Sequence, residues 1–258
     1  TIIHQLRHEE NVDLIVLLSH FGFPQEVKLA QEVDGIDILL SGHTHNRMAK
    51  PVVVNDTIIF QSGCHGAFIG RLDIEVEHDK IKHFTYELIE VAETIIPDPP
   101  MQKRIDDTIR PNKTKLNEII GHTEVPLHRY AQLETTMDNL LLASLLHPTK
   151  ADVAFSNGWR YGAPVATGPI TMNDLWNIIP TNPPVSTVNL TGREIIDMME
   201  ASLEAVFAAD PYNQMGGYVK RCLVMTLFVK LENPPGTRIQ VAFIQGKEIE
   251  PDETYHAA

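Results

Sequence analysis

The chain has 258 residues, 43 % of them apolar and 21 % charged, with a formal net charge of −13. That apolar content supports packed cores and excludes a disordered chain, while the acidic balance argues against a broad basic grip on nucleic acid. Its two cysteines, Cys64 and Cys222, stand far apart and in no Cys-x-x-Cys pattern, which rules out a disulfide framework and argues against a cysteine zinc site.

The chain opens on TIIHQLRHEENVDLIVLLSH, without an initiator Met or a secretory signal, and reads as a helix feeding a buried strand. Such a start suggests a segment of a longer chain. VDLIVLLSH (12–20) predicts a strand buried on both faces. PQEVKLAQEV (24–33) predicts a helix, with Pro24 in a starting position and Val27, Leu29, Ala30 and Val33 at helical spacing. GIDILLSG (35–42) predicts a second buried strand, so the three form a βαβ unit with parallel strands. PVVVNDTIIF (51–60) carries a hairpin signal at Asn55-Asp56, and RLDIEVEHDKIKHFTYELIEV (71–91) alternates apolar and polar residues around His78-Asp79-Lys80. These later strands are expected to be antiparallel and half exposed.

IPDPP (96–100) marks a linker, and MQKRIDDTIRPNKTKLNEII (101–120) predicts a polar helix that Pro111 kinks or splits. The expected division is a first domain over 1–96, a linker and bridging helix over 97–120, and a second domain over 121–258. In the second, HTEVPLHRY (122–130) is strand-like, and TMDNLLLASLLHP (136–148) is an amphipathic helix stopped by Pro148. ADVAF (151–155) and VSTVNL (185–190) are strands, with SNGWRYG (156–162) a loop between them. TMNDLWNII (171–179) and TGREIIDMMEASLEAVF (191–207) are helices opened by capping boxes, Thr171 with Asp174 and Thr191 with Glu194. CLVMTLFVKL (222–231) and TRIQVAFI (237–244) each predict one strand, and another is under way at TYHAA. No apolar run approaches the roughly 18–20 residues of a membrane span.

The βαβ reading gives the histidines a meaning. Parallel strands end on one edge of their sheet, and ligand sites of open α/β sheets lie in the crevice beyond that edge. His20 follows the first strand, and His43 and His45 follow the second, so three imidazoles reach one edge from distant parts of the sequence. Gly42 is expected to supply the sharp turn before His43. With Thr44 between them, His43 and His45 can serve one metal or two, and imidazole suits Zn²⁺, Mn²⁺ and Fe²⁺. His65, in QSGCHGAFIG (61–70), lies in a glycine-rich loop that either approaches the same edge or is a plain loop. Cys64 beside it reads as a packed small side chain rather than a nucleophile.

LIVLLSHFG (14–22), GIDILLSGHTHN (35–46) and FQSGCHGAFIGRLDIEVE (60–77) together resemble the C-terminal half of a calcineurin-like metallophosphoesterase domain. The rest resembles the C-terminal domain of the 5′-nucleotidase superfamily. The fold this implies is α/β (α+β), half of a metallophosphoesterase β-sandwich with flanking helices plus a mixed αβ substrate domain. The resemblance implies two divalent metal ions, Mn or Zn, with His20 and His43 on one and His45 on the other. The family's Asp-x-His, bridging Asp and Asn-His motifs are absent, so the catalytic group and the carboxylate ligands are expected upstream of Thr1.

In SNGWRYG, Asn157 and Arg160 match by type the substrate loop of nucleotidases, at shorter spacing, while Thr181 stands where those enzymes carry a base-stacking Phe. Trp159-Arg160-Tyr161-Gly162, with Tyr212 in DPYNQMGG (210–217), looks closer to SoxB-type thiosulfohydrolases. The expected substrate-binding residues are therefore Asn157, Trp159, Arg160, Tyr161 and Tyr212. The function implied is metal-dependent hydrolysis of a small anionic substrate, either a nucleotide-like phosphoester or a thiosulfonate conjugate. It also implies a periplasmic, secreted or cell-surface location. A non-catalytic module is the reading from another class, because fewer than half of the family's ligands are present.

Overall fold

The computed structural model describes residues 2–157 and 162–258. They group into two compact units, Thr1–Pro97 with Asp210–Tyr212, and Asp98–Ala209 with Asn213–Ala258.

The first unit runs α1 (Ile2–His8), β1 (Val16–Leu18), α2 (Phe23–Glu32), β2 (Ile38–Leu40), β3 (Val52–Val54), β4 (Thr57–Phe60), β5 (Phe68–Glu77) and β6 (Lys80–Glu90). The first four strands form one sheet in the order β1-β2-β4-β3, with β1, β2 and β4 parallel and β3 antiparallel to β4. Successive side chains face opposite sides of a strand. Leu39 and Ile59 therefore meet Ala30 of α2 on one face, while Ile38, Ile58 and Phe60 meet Leu72, Ile74 and Phe84 of the β5–β6 hairpin on the other.

Two expectations differ from the structure here. Residues 51–60 form the hairpin, but β4 is buried at all four positions and is a central parallel strand rather than a half-exposed one. Among the described residues β1 pairs only with β2 and stands at the edge of this sheet, and Val16 is 52 % and Leu18 81 % exposed rather than buried on both faces. The β5–β6 hairpin does alternate and pairs antiparallel along its length.

In the second unit, α3 (Pro99–Ile109) is capped by Asp98, and a 3₁₀ turn at Arg110–Asn112 separates it from the short α4 (Lys113–Leu116). Pro111 thus splits the predicted helix. Ile119 and Ile120 leave it altogether for β7 (Ile119–Thr123), which pairs with β9 (Gly168–Thr171), a β-branched pair choosing a strand. Next come α5 (Thr136–Thr149), β8 (Ala154–Ser156), α6 (Met172–Ile178), β10 (Val188–Thr191) and α7 (Gly192–Phe207). The order then continues with β11 (Arg221–Leu223), β12 (Met225–Val229), β13 (Ile239–Ile244), β14 (Lys247–Glu248) and β15 (Thr254–Ala257).

Pro148 does not stop α5. It lies in the last turn, where its missing N–H costs one bond, that to the Ser144 carbonyl, and Lys150 ends the helix in a left-handed conformation. The single strand predicted over 222–231 is two, because Val224 takes φ 67 and sends β11 to β8 and β12 to β13. Both capping boxes form as read.

The core of this unit packs Ile195, Met199 and Leu203 of α7 against Met225, Ala242, Ile244 and Tyr255. The helix docks through its first residue. Gly192 donates its N–H to the Glu253 carbonyl (2.9 Å), and a Cβ there would lie 2.2 Å from the Glu250 carbonyl oxygen. Gly192→Ala must therefore push the 249–253 turn away from α7. It is expected to destabilise the unit by about 2–3 kcal/mol, the range of core overpacking, read as a lowered urea midpoint. A midpoint within experimental error of the parent would contradict this packing.

Candidate metal centre

The strand ends deliver the histidines. Ser19 N–H donates to Leu40 O (2.9 Å) and Ser41 N–H to Phe60 O (3.0 Å), so the parallel ladder runs to the points where the three loops leave. His20 follows β1, His43 and His45 follow β2, and His65 follows β4. The rings of His20 and His43 stand edge to face with centroids 5.1 Å apart, and those of His45 and His65 are 6.0 Å apart in the same style. The edge thus holds two imidazole pairs, including a partner for His45 that sequence reasoning left as a possible loop residue. The signal was there: His65 stands five residues past a strand, as His45 does.

The backbone does something the sequence reading assigned differently. Gly42 is not where the chain turns left-handed; His43 (φ 67), His45 (φ 59) and His65 (φ 57) are. Histidine tolerates this region better than most side chains, yet each instance still costs roughly 1–2 kcal/mol. Backbone strain of this kind collects at functional sites. Gly42 serves a close approach instead: a Cβ there would lie 3.0 Å from His20 Nδ1 and from the Ser19 carbonyl oxygen. Without a side chain at 42, the two loops can touch.

Do these residues suit a metal? Two imidazoles on one first-row cation, each nitrogen about 2.0–2.1 Å away, place their ring centroids roughly 4.6–5.3 Å apart. The His20–His43 spacing falls within that window, and neutral imidazole is the right donor for Zn²⁺ or Mn²⁺. Among the described residues, no three His, Cys, Asp or Glu side chains gather into one complete metal-holding group. The edge therefore fits as a partial donor set.

Beside His20, Phe21 stacks on Tyr212 (centroids 5.7 Å, 18° between planes). Tyr212 donates its hydroxyl to Glu32 (2.9 Å) and lies under the Lys28 ammonium, 4.4 Å from the ring centroid. Lys28 in turn binds Asp210 (2.7 Å), which holds the Asp210 carboxyl below its ordinary range and raises the lysine. Partial burial, followed by the neighbouring Glu32, raises the Tyr212 phenol. Tyr212 is thus held between the Phe21 ring, Glu32 and Lys28.

Asn157 belongs to the other unit. There its Oδ1 accepts a hydrogen bond from Lys220 (2.9 Å), whose pKa is lowered by burial. It also lines a cavity of about 430 Å³ with Thr181, Asn182 and Ile179. Trp159, Arg160 and Tyr161 lie outside the described residues. Burial pushes the Cys222 thiol up to about 11, away from the thiolate form a nucleophile needs. No helix among the described residues is long and apolar enough to cross a membrane.

Against known proteins, the chain is similar to the trifunctional nucleotide phosphoesterase YfkN of Bacillus subtilis, 26 % identical over 99 % of this chain and 18 % of that protein. It is also similar to a 5′-nucleotidase of Vibrio vulnificus, 24 % identical over 98 % of this chain and 53 % of that protein. The chain therefore spans about half or less of these relatives. Among solved structures, the sulfate thiohydrolase SoxB of Thermus thermophilus superposes with a TM-score of 0.92 at 26 % identity, over 99 % of this chain and 48 % of that one. A 5′-nucleotidase precursor of the same species gives 0.83 at 19 % identity, over 99 % of this chain and 55 % of that one. The model of the 5′-nucleotidase C-terminal domain matches residues 119–258, more than half of the chain, and the chain accordingly belongs to the 5′-nucleotidase family.

Proposed function

We propose that this chain contributes to a metal-dependent hydrolase that cleaves a small anionic ester, a nucleotide-like phosphoester, outside the cytoplasm. The observation that carries the reading is the His20–His43 pair at the shared C-terminal edge of β1 and β2, with His45 and His65 beside it. The remaining donors, carboxylates above all, are assigned to sequence outside these 258 residues, because the chain spans only about half of the relatives that match it end to end. When bound, two divalent cations, Mn or Zn, would polarise the ester and lower the pKa of water.

The chain's own residues do the holding. His20 and His43 present imidazoles to one cation and His45 to the other, and Gly42 keeps the two loops in contact. Asn157 with the Trp159-Arg160-Tyr161 stretch and, separately, Tyr212 are proposed as substrate-binding residues.

A second reading has its own support. The SoxB fold superposes with the TM-score of 0.92, and Thr181 offers no ring to stack on a base. On that reading the substrate is a sulfur–sulfonate conjugate, whose tetrahedral oxyanion resembles phosphate.

The test is elemental analysis of the dialysed full-length protein followed by assay of AMP beside a thiosulfonate conjugate. About two Mn or Zn per chain with phosphate release supports the first reading. The same metal content with release from the thiosulfonate alone moves the assignment to the second. Metal-free protein without turnover defeats both and leaves a non-catalytic module.

A further inference from the structure

Gln61 is the first residue after β4 and is 3 % exposed, an unusual place for a long polar side chain. All of its hydrogen-bonding capacity is spent on one loop. Nε2 donates to the Gly42 carbonyl and to Ser41 Oγ (3.2 Å), while Oε1 accepts from the Asn46 N–H and from Thr44 Oγ1 (3.3 Å). The orientation of the amide is unambiguous: a carbonyl can only accept and an N–H can only donate, so the backbone groups of Gly42 and Asn46 fix which end is which. These contacts fall on both sides of His43 and His45.

The bonding continues beyond that loop. Thr44 Oγ1 also accepts from the Phe23 N–H (3.2 Å), at the first residue of α2, where the loop carrying His20 ends. Main-chain bonds reinforce the join to β4, with Met48 N–H donating to Gln61 O (3.2 Å) and Gly63 N–H to Asn46 O (2.9 Å). One buried amide and one hydroxyl thus tie the ends of β1, β2 and β4 together. They do so where the backbone at His43 and His45 is held left-handed, a conformation that persists only when its surroundings over-determine it.

We propose that Gln61, acting with Thr44, is the positioning residue of the metal edge: it sets the spacing of His20, His43 and His45 without touching a cation itself. The inference rests on the metal reading above. It assigns the geometry of those imidazoles to a side chain whose identity as a polar strand-end residue gives no hint of the role.

Gln61→Leu keeps the bulk of the side chain and removes every polar contact. Titrated with Co²⁺ and followed by its visible absorption, the purified full-length protein carrying this substitution is expected to lose about 10–100-fold in affinity, the usual effect of removing a group that orients metal ligands. Thr57→Val is the control for mere stability, because Thr57 is equally buried and its hydroxyl holds only the Ile36 carbonyl (2.7 Å). It should lower Tm and leave Co²⁺ affinity unchanged. Amide exchange in metal-free protein reads the same anchor directly, with the Asn46 N–H exchanging at least about tenfold faster in Gln61→Leu while β4 amides stay protected.

If Gln61→Leu does not fold, Thr44→Val decides, with about tenfold weaker Co²⁺ binding and faster exchange at the Phe23 N–H. Parent-like affinity and exchange in a folded Gln61→Leu, or in Thr44→Val, would overturn the proposal while leaving the metal reading intact. A parent protein that binds no Co²⁺ would overturn the metal reading and this inference with it.

Discussion

His43→Ala is expected to lower turnover of the metal-loaded protein by at least about 100-fold, more than the 10–100-fold typical of groups that only orient ligands. His43 shares the His20 pair (5.1 Å) and sits in the loop that also delivers His45, so its loss removes one donor and loosens its neighbour. The measurement is initial rate against metal content, with AMP and a thiosulfonate conjugate as substrates. His78→Ala, in the β5–β6 turn, serves as the matched control. Unchanged turnover in His43→Ala at equal metal content would remove the basis for placing the chemistry at this edge.

Asp138→Ala is expected to destabilise the second unit by about 3–5 kcal/mol. Asp138 is 1 % exposed and receives the Arg129 Nε–H on one oxygen (3.0 Å) and the Arg221 Nε–H on the other (3.0 Å). The Thr135 hydroxyl adds a third bond (2.6 Å), and Thr135 is itself the cap of α5. The two arginines continue outward, Arg129 to the Ile178 carbonyl (3.4 Å) and Arg221 to those of Gln132 (2.6 Å) and Ala131. One carboxylate therefore joins α5, β11, the 131–135 loop and the end of α6. Alanine would leave two buried guanidinium groups facing each other without a counter-charge, a far larger penalty than an exposed ion pair such as Lys103–Asp107 represents. Against a typical total of about 5–15 kcal/mol for a native domain, little stability would remain. Urea unfolding followed by far-UV circular dichroism is the check, and a loss below about 1 kcal/mol would show that the triad is not the keystone its geometry implies.

The parts legible in the sequence were those with a local signal. The βαβ unit showed in two apolar runs around Pro24 and its helical stripe, and the capping boxes showed in residue types three apart. His20, His43 and His45 could be placed on one edge because parallel strands share their ends. What escaped were pairings that local pattern does not encode. TIIF (57–60) carries the composition of either a hairpin arm or a central strand, and only the long-range contact with β2 decides. Val224 looks like any strand valine until β11 and β12 are seen to have different partners. Gln61 reads as the first polar residue of a loop, and its burial follows from three strand ends converging around it.

The left-handed histidines carry an evolutionary consequence. Glycine or asparagine at 43, 45 or 65 would relieve the backbone and raise thermal stability, but would delete the imidazoles. A library screened only for heat resistance should therefore accumulate substitutions at these positions, and its most robust members would be the ones that have lost the proposed metal donors.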